Sequence, residues 1–228
     1  MKRSFLFLQG PHGPFFRRLG DRLRALGHDV ARVNLCGGDV VDWPTRQAVL
    51  FRDTSDAWAE WVADFARQRQ VTDLVLYGDC RPLHRMAIDR LRPAGTRVHV
   101  FEEGYLRPNW ITCEPDGVNG YSRFAMHMNP DSGPSSAPAG GFDAPLPLRP
   151  RPWVRAGYCL RHCAGNVVFA PMLPHYRTHR PLPLSREAIG WVKRGVRLRL
   201  NGRRMQQRLE HLCDGTQPVF LLLLQLDT

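Results

Sequence analysis

Glu102 and Glu103 stand side by side at the end of an apolar stretch and are followed by Gly104, in Phe101-Glu102-Glu103-Gly104-Tyr105-Leu106-Arg107-Pro108. Neighbouring side chains just past a strand point opposite ways, so two such carboxylates can hold different tasks. One can face a cleft as nucleophile or general base while the other accepts hydrogen bonds from backbone or arginine. A solvated loop, with ion pairs to Arg81 or Arg107, is the competing reading. Two further polar clusters also follow apolar stretches directly: Gln9-Gly10-Pro11-His12-Gly13-Pro14, and Gly78-Asp79-Cys80-Arg81 with His84 just beyond. Arg81 and Arg107 suit bidentate capture of a carboxylate or phosphate. His12 and His84 could serve as acid, base or phosphate ligand, or simply hold their turns. Gly10 and Gly13 allow close backbone approach to a ligand but form no GxGxxG fingerprint, so no dinucleotide site is implied. Asn34–Asp39 follows a strand as well and could complete the cleft, although it reads more readily as a plain turn.

The elements that must position these residues alternate. Ser4–Leu8, Val30–Leu35, Ala48–Phe51, Asp73–Tyr77 and Arg97–Phe101 read as short strands. Phe15 to Leu26, a stretch N-capped by Ser55 with Trp58, Trp61, Val62 and Phe65 on one face, and Pro82 to Leu91 read as helices. This alternation predicts a Rossmann-like α/β domain with a parallel sheet covered on both faces. Ligands of such sheets collect at the carboxyl ends of the strands, where all three clusters lie. Trp110–Glu114, the turn Pro115-Asp116-Gly117 and the stretch from Val118 read as a small hairpin or an irregular β excursion. The expected organisation is an N-terminal domain over 1–128, a Pro/Gly-rich loop over 129–152 and a basic, partly helical connector over 153–216. Within that connector, helices run from Ser185 to Leu200 and from Arg203 to Cys213. Residues 217–228 would open a further domain, with Pro218–Gln225 as a buried strand.

Composition narrows the partners. The chain has 228 residues, is 43% hydrophobic and carries a formal charge of +11. From Arg149 onward there are 14 Lys/Arg against 4 acids, whereas the first two thirds are nearly balanced. A basic segment of this kind points to phosphate-bearing partners. Its arginines are not interleaved with an aromatic stacking series, which argues against nucleic acid. The longest apolar run, Val219–Leu224, is too short to span a bilayer, and the N-terminus lacks a signal-peptide core, so a cytoplasmic location is expected. The six cysteines form no disulfide framework and read as reduced, mostly buried thiols. Cys159 and Cys163, with His162 between them, approach metal spacing, but no second pair supports a zinc site.

Five segments, FLQGPHGPFFRRLG (7–20), NLCGGD (34–39), LVLYGDCRPLHRMA (74–87), VFEEGYLRPNWIT (100–112) and GVNGYSRF (117–124), resemble in order the capsular polysaccharide biosynthesis/export proteins of the KpsS/LipB type. The resemblance implies the N-terminal, acceptor-side half of a GT-B-like glycosyltransferase. Its reaction would carry β-Kdo from CMP-Kdo to a phosphatidylglycerol-type lipid, with retention, at the inner face of the cytoplasmic membrane. It further implies Glu103 as nucleophile and Glu102 as its orienting partner or base, in an acidic motif completed by Gly104. Gly10, His12, Gly13, Asp79, Arg81, His84 and Arg107 would hold substrate, with no metal and no cofactor beyond the donor. A second Kdo transferase and the capsule export machinery are the implied protein partners. Members are longer, so the CMP-binding motifs are expected beyond Thr228. A non-catalytic assembly or export module is the alternative.

Overall fold

Phe5 and Phe7 point to one side of the first strand and Leu6 and Leu8 to the other, and all four are buried. That alternation with both faces apolar requires cover on both sides, and the chain supplies it. The computed structural model describes residues 1–44, 48–104, 110–123, 152–178 and 184–213. They fall into two compact units, Met1–His179 and Arg180–Thr228.

The first unit holds a six-stranded sheet of order β3-β2-β1-β4-β5-β6. Its strands are β1 (Ser4–Phe7), β2 (Asp29–Asn34), β3 (Ala48–Leu50), β4 (Asp73–Tyr77), β5 (Arg97–Glu103) and β6 (Ile111–Pro115). The first five are parallel, as an alternating strand–helix sequence demands; β6 runs antiparallel to β5. The fold is therefore α/β and Rossmann-like. The helices are α1 (Phe15–Ala25), α2 (Gly37–Asp42), α3 (Trp58–Gln68), α4 (Pro82–Leu91) and α5 (Pro152–Val168). Leu6, Leu8, Leu74, Leu76, Val98 and Val100 pack with Trp58, Val62 and Ile88 of α3 and α4. Phe5, Phe7 and Val75 pack with Phe16 and Trp43 on the opposite face, beside α1 and α2. Each such side chain contributes about 1.5–3 kcal/mol by leaving water.

Several expectations are corrected. The turn at Asn34–Asp39 opens helix α2, because the Asp39 carboxylate accepts the Leu35 and Cys36 N–H groups and organises its first turn. Ser55 makes no capping bond; Ser55–Ala57 is a 3₁₀ turn that leads into α3, and its hydroxyl meets Asp56. The stretch Ile111–Pro115 pairs with β5 and satisfies that strand's edge. The described residues after Val118 form a 3₁₀ turn at Asn119–Tyr121 in place of a second hairpin strand, and the Ser122 hydroxyl donates to the Glu114 carboxylate. Of the five thiols described, Cys36 is buried while Cys80, in the turn after β4, and Cys113, on the edge strand β6, are exposed. The expected loop after 129 and the strand at Pro218–Gln225 lie outside the described residues.

Helix α5, which belongs by sequence to the basic connector, packs on α2 through glycines. A Cβ on Gly37 would sit 2.2 Å from the Gly165 carbonyl oxygen, and one on Gly38 would sit 2.3 Å from the His162 ring. The Asn166 side-chain oxygen accepts the Gly38 N–H at 2.7 Å. Gly37→Ala should therefore cost about 2 kcal/mol, since a backbone carbonyl cannot yield as a side chain can. A fall in the urea midpoint with unchanged slope is the expected readout, and an unchanged midpoint would show that α2 and α5 need not touch.

The described residues of the second unit form helix α6 (Leu184–Cys213), of 30 residues. Two helices broken near Asn201-Gly202 were expected. A glycine inside a helix costs about 1 kcal/mol without ending it, and α6 runs through.

Candidate functional site

At the carboxyl ends of β1, β4 and β5 the three polar clusters converge, as parallel topology requires. Gln9 extends from β1 and is buried. Its amide oxygen accepts from Arg81 Nη1 at 2.8 Å, and its amide nitrogen donates to the Cys36 sulfur at 3.1 Å. Tyr176 also bonds the Gln9 side chain. Arg81 enters from the turn after β4, with its guanidinium 5.8 Å from the Tyr77 ring centroid. Burial lowers the Arg81 pKa from its ordinary value, and the charges of Asp39, Tyr176 and Glu102 partly restore it. A desolvated guanidinium of this kind is suited to an incoming anion.

Glu102 and Glu103 end β5 and point to opposite sides, as the strand period dictates. Glu102 lies on the Arg81 side. Its Oε2 would be 3.4 Å from a Cβ on Gly78, a residue at φ +71°. One Glu102 oxygen accepts the Glu103 N–H at 3.0 Å. The Tyr77 hydroxyl also bonds Glu102, and the Tyr77 pKa is raised by burial first and by the Glu102 charge second. Glu103, on the other side, forms an ion pair with Arg155 of α5. Gly104 follows with no room for a side chain, since a Cβ there would lie 2.3 Å from the Trp110 carbonyl oxygen.

The remaining candidates are held by other partners. His84 is fully buried, with Nδ1 2.7 Å from the Gly78 carbonyl oxygen, so it braces the turn that carries Arg81. Asp79 is also buried and accepts the Val118 N–H at 2.9 Å. Gly10 lies against the Phe16 ring, and Gly13, at φ +101°, lies against Tyr158 of α5. His12 stacks on His162 of α5, centroids 4.1 Å apart. Arg107 lies outside the described residues.

Sequence reasoning assigned no role to the residues α5 brings in. Arg155, Tyr158, His162, Gly165 and Asn166 recur at helical spacing along one face of α5. That periodicity was the available signal, masked by the basic, proline-interrupted surroundings. His162 Nδ1 sits 2.7 Å from Asp42 Oδ2, and its Nε2 is 3.8 Å from the Cys36 sulfur. The Cys36 thiol pKa is pushed far up, by burial first and by Asp39 second. A thiol held protonated and fully buried is no nucleophile, so this thiol–imidazole–carboxylate arrangement serves packing. A hollow of about 10 Å³ between Gly10, Gly13, Asp42 and Trp43 has room for no more than a water molecule and is not lined by either glutamate.

A family model described as capsule polysaccharide biosynthesis protein matches residues 72–228. The chain belongs to that family. The resemblance of the five segments to this family is thereby borne out. Among relatives of this capsule-family chain, the capsule polysaccharide export protein KpsS of Escherichia coli is 33% identical over 230 residues, covering 98% of this chain and 57% of that protein. The capsule polysaccharide modification protein LipB of Neisseria meningitidis serogroup A is 41% identical over 121 residues, covering 52% of this chain and 29% of that protein. The capsule-family chain thus spans a little over half the length of KpsS and aligns with less than a third of LipB.

Proposed function

We propose that this chain is the acceptor-side half of a retaining glycosyltransferase of capsule synthesis, which moves β-Kdo from CMP-Kdo to a phosphatidylglycerol-type lipid. The observation that carries this reading is the different placement of Glu102 and Glu103. Two adjacent carboxylates end one strand in different surroundings, Glu102 against Tyr77 and Gly78 on the Arg81 side and Glu103 against Arg155. In the first displacement a Glu103 oxygen bonds to the anomeric carbon of Kdo, while the bond to the CMP phosphate breaks and its electron pair leaves with CMP. In the second, a lipid hydroxyl oxygen bonds to that carbon, its proton passes to a base, and Glu103 departs. Two inversions give retention. Arg81, and Arg107 by the family motif, would hold the Kdo carboxylate or the leaving phosphate, which supports a reaction without metal.

The proposal includes a place on the cytoplasmic face of the inner membrane, alongside a second Kdo transferase and the export machinery. The test uses a protein as long as the matched relatives, incubated with CMP-Kdo and no acceptor. A mass increase of one Kdo residue on the peptide bearing Glu103 is expected. A non-catalytic assembly module, favoured by the Arg155 ion pair that already occupies Glu103, predicts no adduct under any donor concentration.

A further inference from the structure

Of the 30 residues of α6, eight are Lys or Arg and two are Glu. At 1.5 Å per residue the helix is about 45 Å long, so its charges are spread along a line and not gathered at a point. Trp191, Leu198, Met205 and Leu212 recur every seven residues and form one stripe. They are 65%, 48%, 55% and 54% exposed. Lys193, Arg197, Arg204 and Arg208 recur at spacings of four and seven and form another stripe; they too are exposed. Among the described residues no helix is long and apolar enough to cross a membrane.

We infer that α6 is a docking helix for an anionic lipid bilayer, lying along the surface with Trp191, Leu198, Met205 and Leu212 dipped into the headgroup–acyl boundary and its arginines among the phosphates. A polar face rich in Lys and Arg beside a stripe of Trp and Leu is the composition such surface helices need. Charge complementarity favours this occupant over a second copy of the chain. Two copies packed through Trp191, Gly195 and Leu198 would set Arg194 against the second copy's Arg199, and each helix would add the same cationic excess. Gly195 and Gly202 also fall on that seam and offer nothing to interlock. Against a lipid surface the same arginines meet opposite charge, and glycine costs no contact. The inference concerns what the helix docks on and does not rest on the transfer chemistry.

Flotation of the full chain with phosphatidylglycerol vesicles, and separately with phosphatidylcholine vesicles, tests it. The expected result is strong preference for phosphatidylglycerol, with binding that falls at least about tenfold as salt rises from about 0.05 to about 0.5 M. Replacing Lys193, Arg197, Arg204 and Arg208 together by Gln, a good helix former, should cut binding to phosphatidylglycerol by about 100-fold or more. Trp191→Ala with Leu198→Ala should weaken it about tenfold while leaving the salt dependence in place. Equal binding to both vesicles, no binding, or binding untouched by either variant overturns the inference. So does concentration-dependent dimerisation of the free chain that the Trp191/Leu198 variant abolishes without loss of vesicle binding. Vesicle binding needs no sugar donor and the Kdo adduct needs no vesicle, so either proposal can fail while the other stands.

Discussion

Glu103→Gln, made in a protein as long as the matched relatives, is expected to lower Kdo transfer by about 10³-fold or more, since an amide cannot form the glycosyl ester. Fold and stability should stay near the parent's, because Glu103 is partly exposed at the last position of β5 and its contribution is an ion pair with the exposed Arg155. An exposed pair of this kind contributes at most about 1 kcal/mol. Glu102→Gln makes the informative contrast. Glu102 faces Tyr77 and accepts the Glu103 N–H, so its loss should slow transfer by a smaller factor and still permit an adduct on Glu103. The measurement is transfer rate and adduct mass for both variants. Near-normal turnover by Glu103→Gln would remove Glu103 from the mechanism, and an adduct that moves to Glu102 would exchange the two roles.

Asp73→Asn should be the most destabilising single change outside the apolar core, by about 3 kcal/mol at neutral pH. Asp73 opens β4, at the amino ends of the strands and so at the opposite end of the sheet from the candidate site, and its side chain is fully buried. It accepts from Arg3 Nε at 2.7 Å, Thr72 Oγ1 at 2.7 Å, His99 Nε2 at 2.8 Å and Arg97 Nε at 3.1 Å. Burial alone would raise its pKa. The bonds from Arg3, His99, Thr72 and Arg97 outweigh that and hold it well below the ordinary carboxylate range. An amide keeps the shape but loses the charge, and its NH₂ group points at donors. Because the folded carboxyl is the stronger acid, its contribution is complete above the ordinary carboxylate pKa of about 4 and is lost as pH falls below that value. Urea midpoints of parent and variant should therefore differ widely at pH 7 and draw together toward pH 3. A gap that stays constant over that range would mean that the cluster is not held by charge.

The layers of the fold could be read directly because they depend on short-range pattern. Phe5 and Phe7 against Leu6 and Leu8, and Trp58 with Val62 along α3, declare their faces within a few residues. The opposed directions of Glu102 and Glu103 were legible for the same reason. Gln9 was not assigned a task, because its amide acquires one only when β4 lies beside β1 and brings Arg81 within reach. The docking of α5 was illegible for a stronger reason. Its partners Gly37, Gly38 and Asp42 lie more than a hundred residues earlier, and glycine–glycine contacts leave no apolar signature in composition. The unbroken α6 was missed because Asn201-Gly202 was weighed as a stop, whereas it is only a local cost within 30 helical residues.

That distance along the chain also sets an order of events during synthesis. Asp42 and His162, which meet at 2.7 Å, are 120 residues apart. At about 5–20 residues per second, the ribosome delivers α5 roughly 6–24 s after α2. The parallel strands can pair well within that interval, while the faces of Gly37, Gly38 and Asp42 that α5 will cover stay bare. The candidate site is therefore the last part of the first unit to be assembled, and Glu103 meets Arg155 only once a folded sheet is waiting for it. A newly made chain would pass those seconds with this end of its sheet open to chaperones and to other chains.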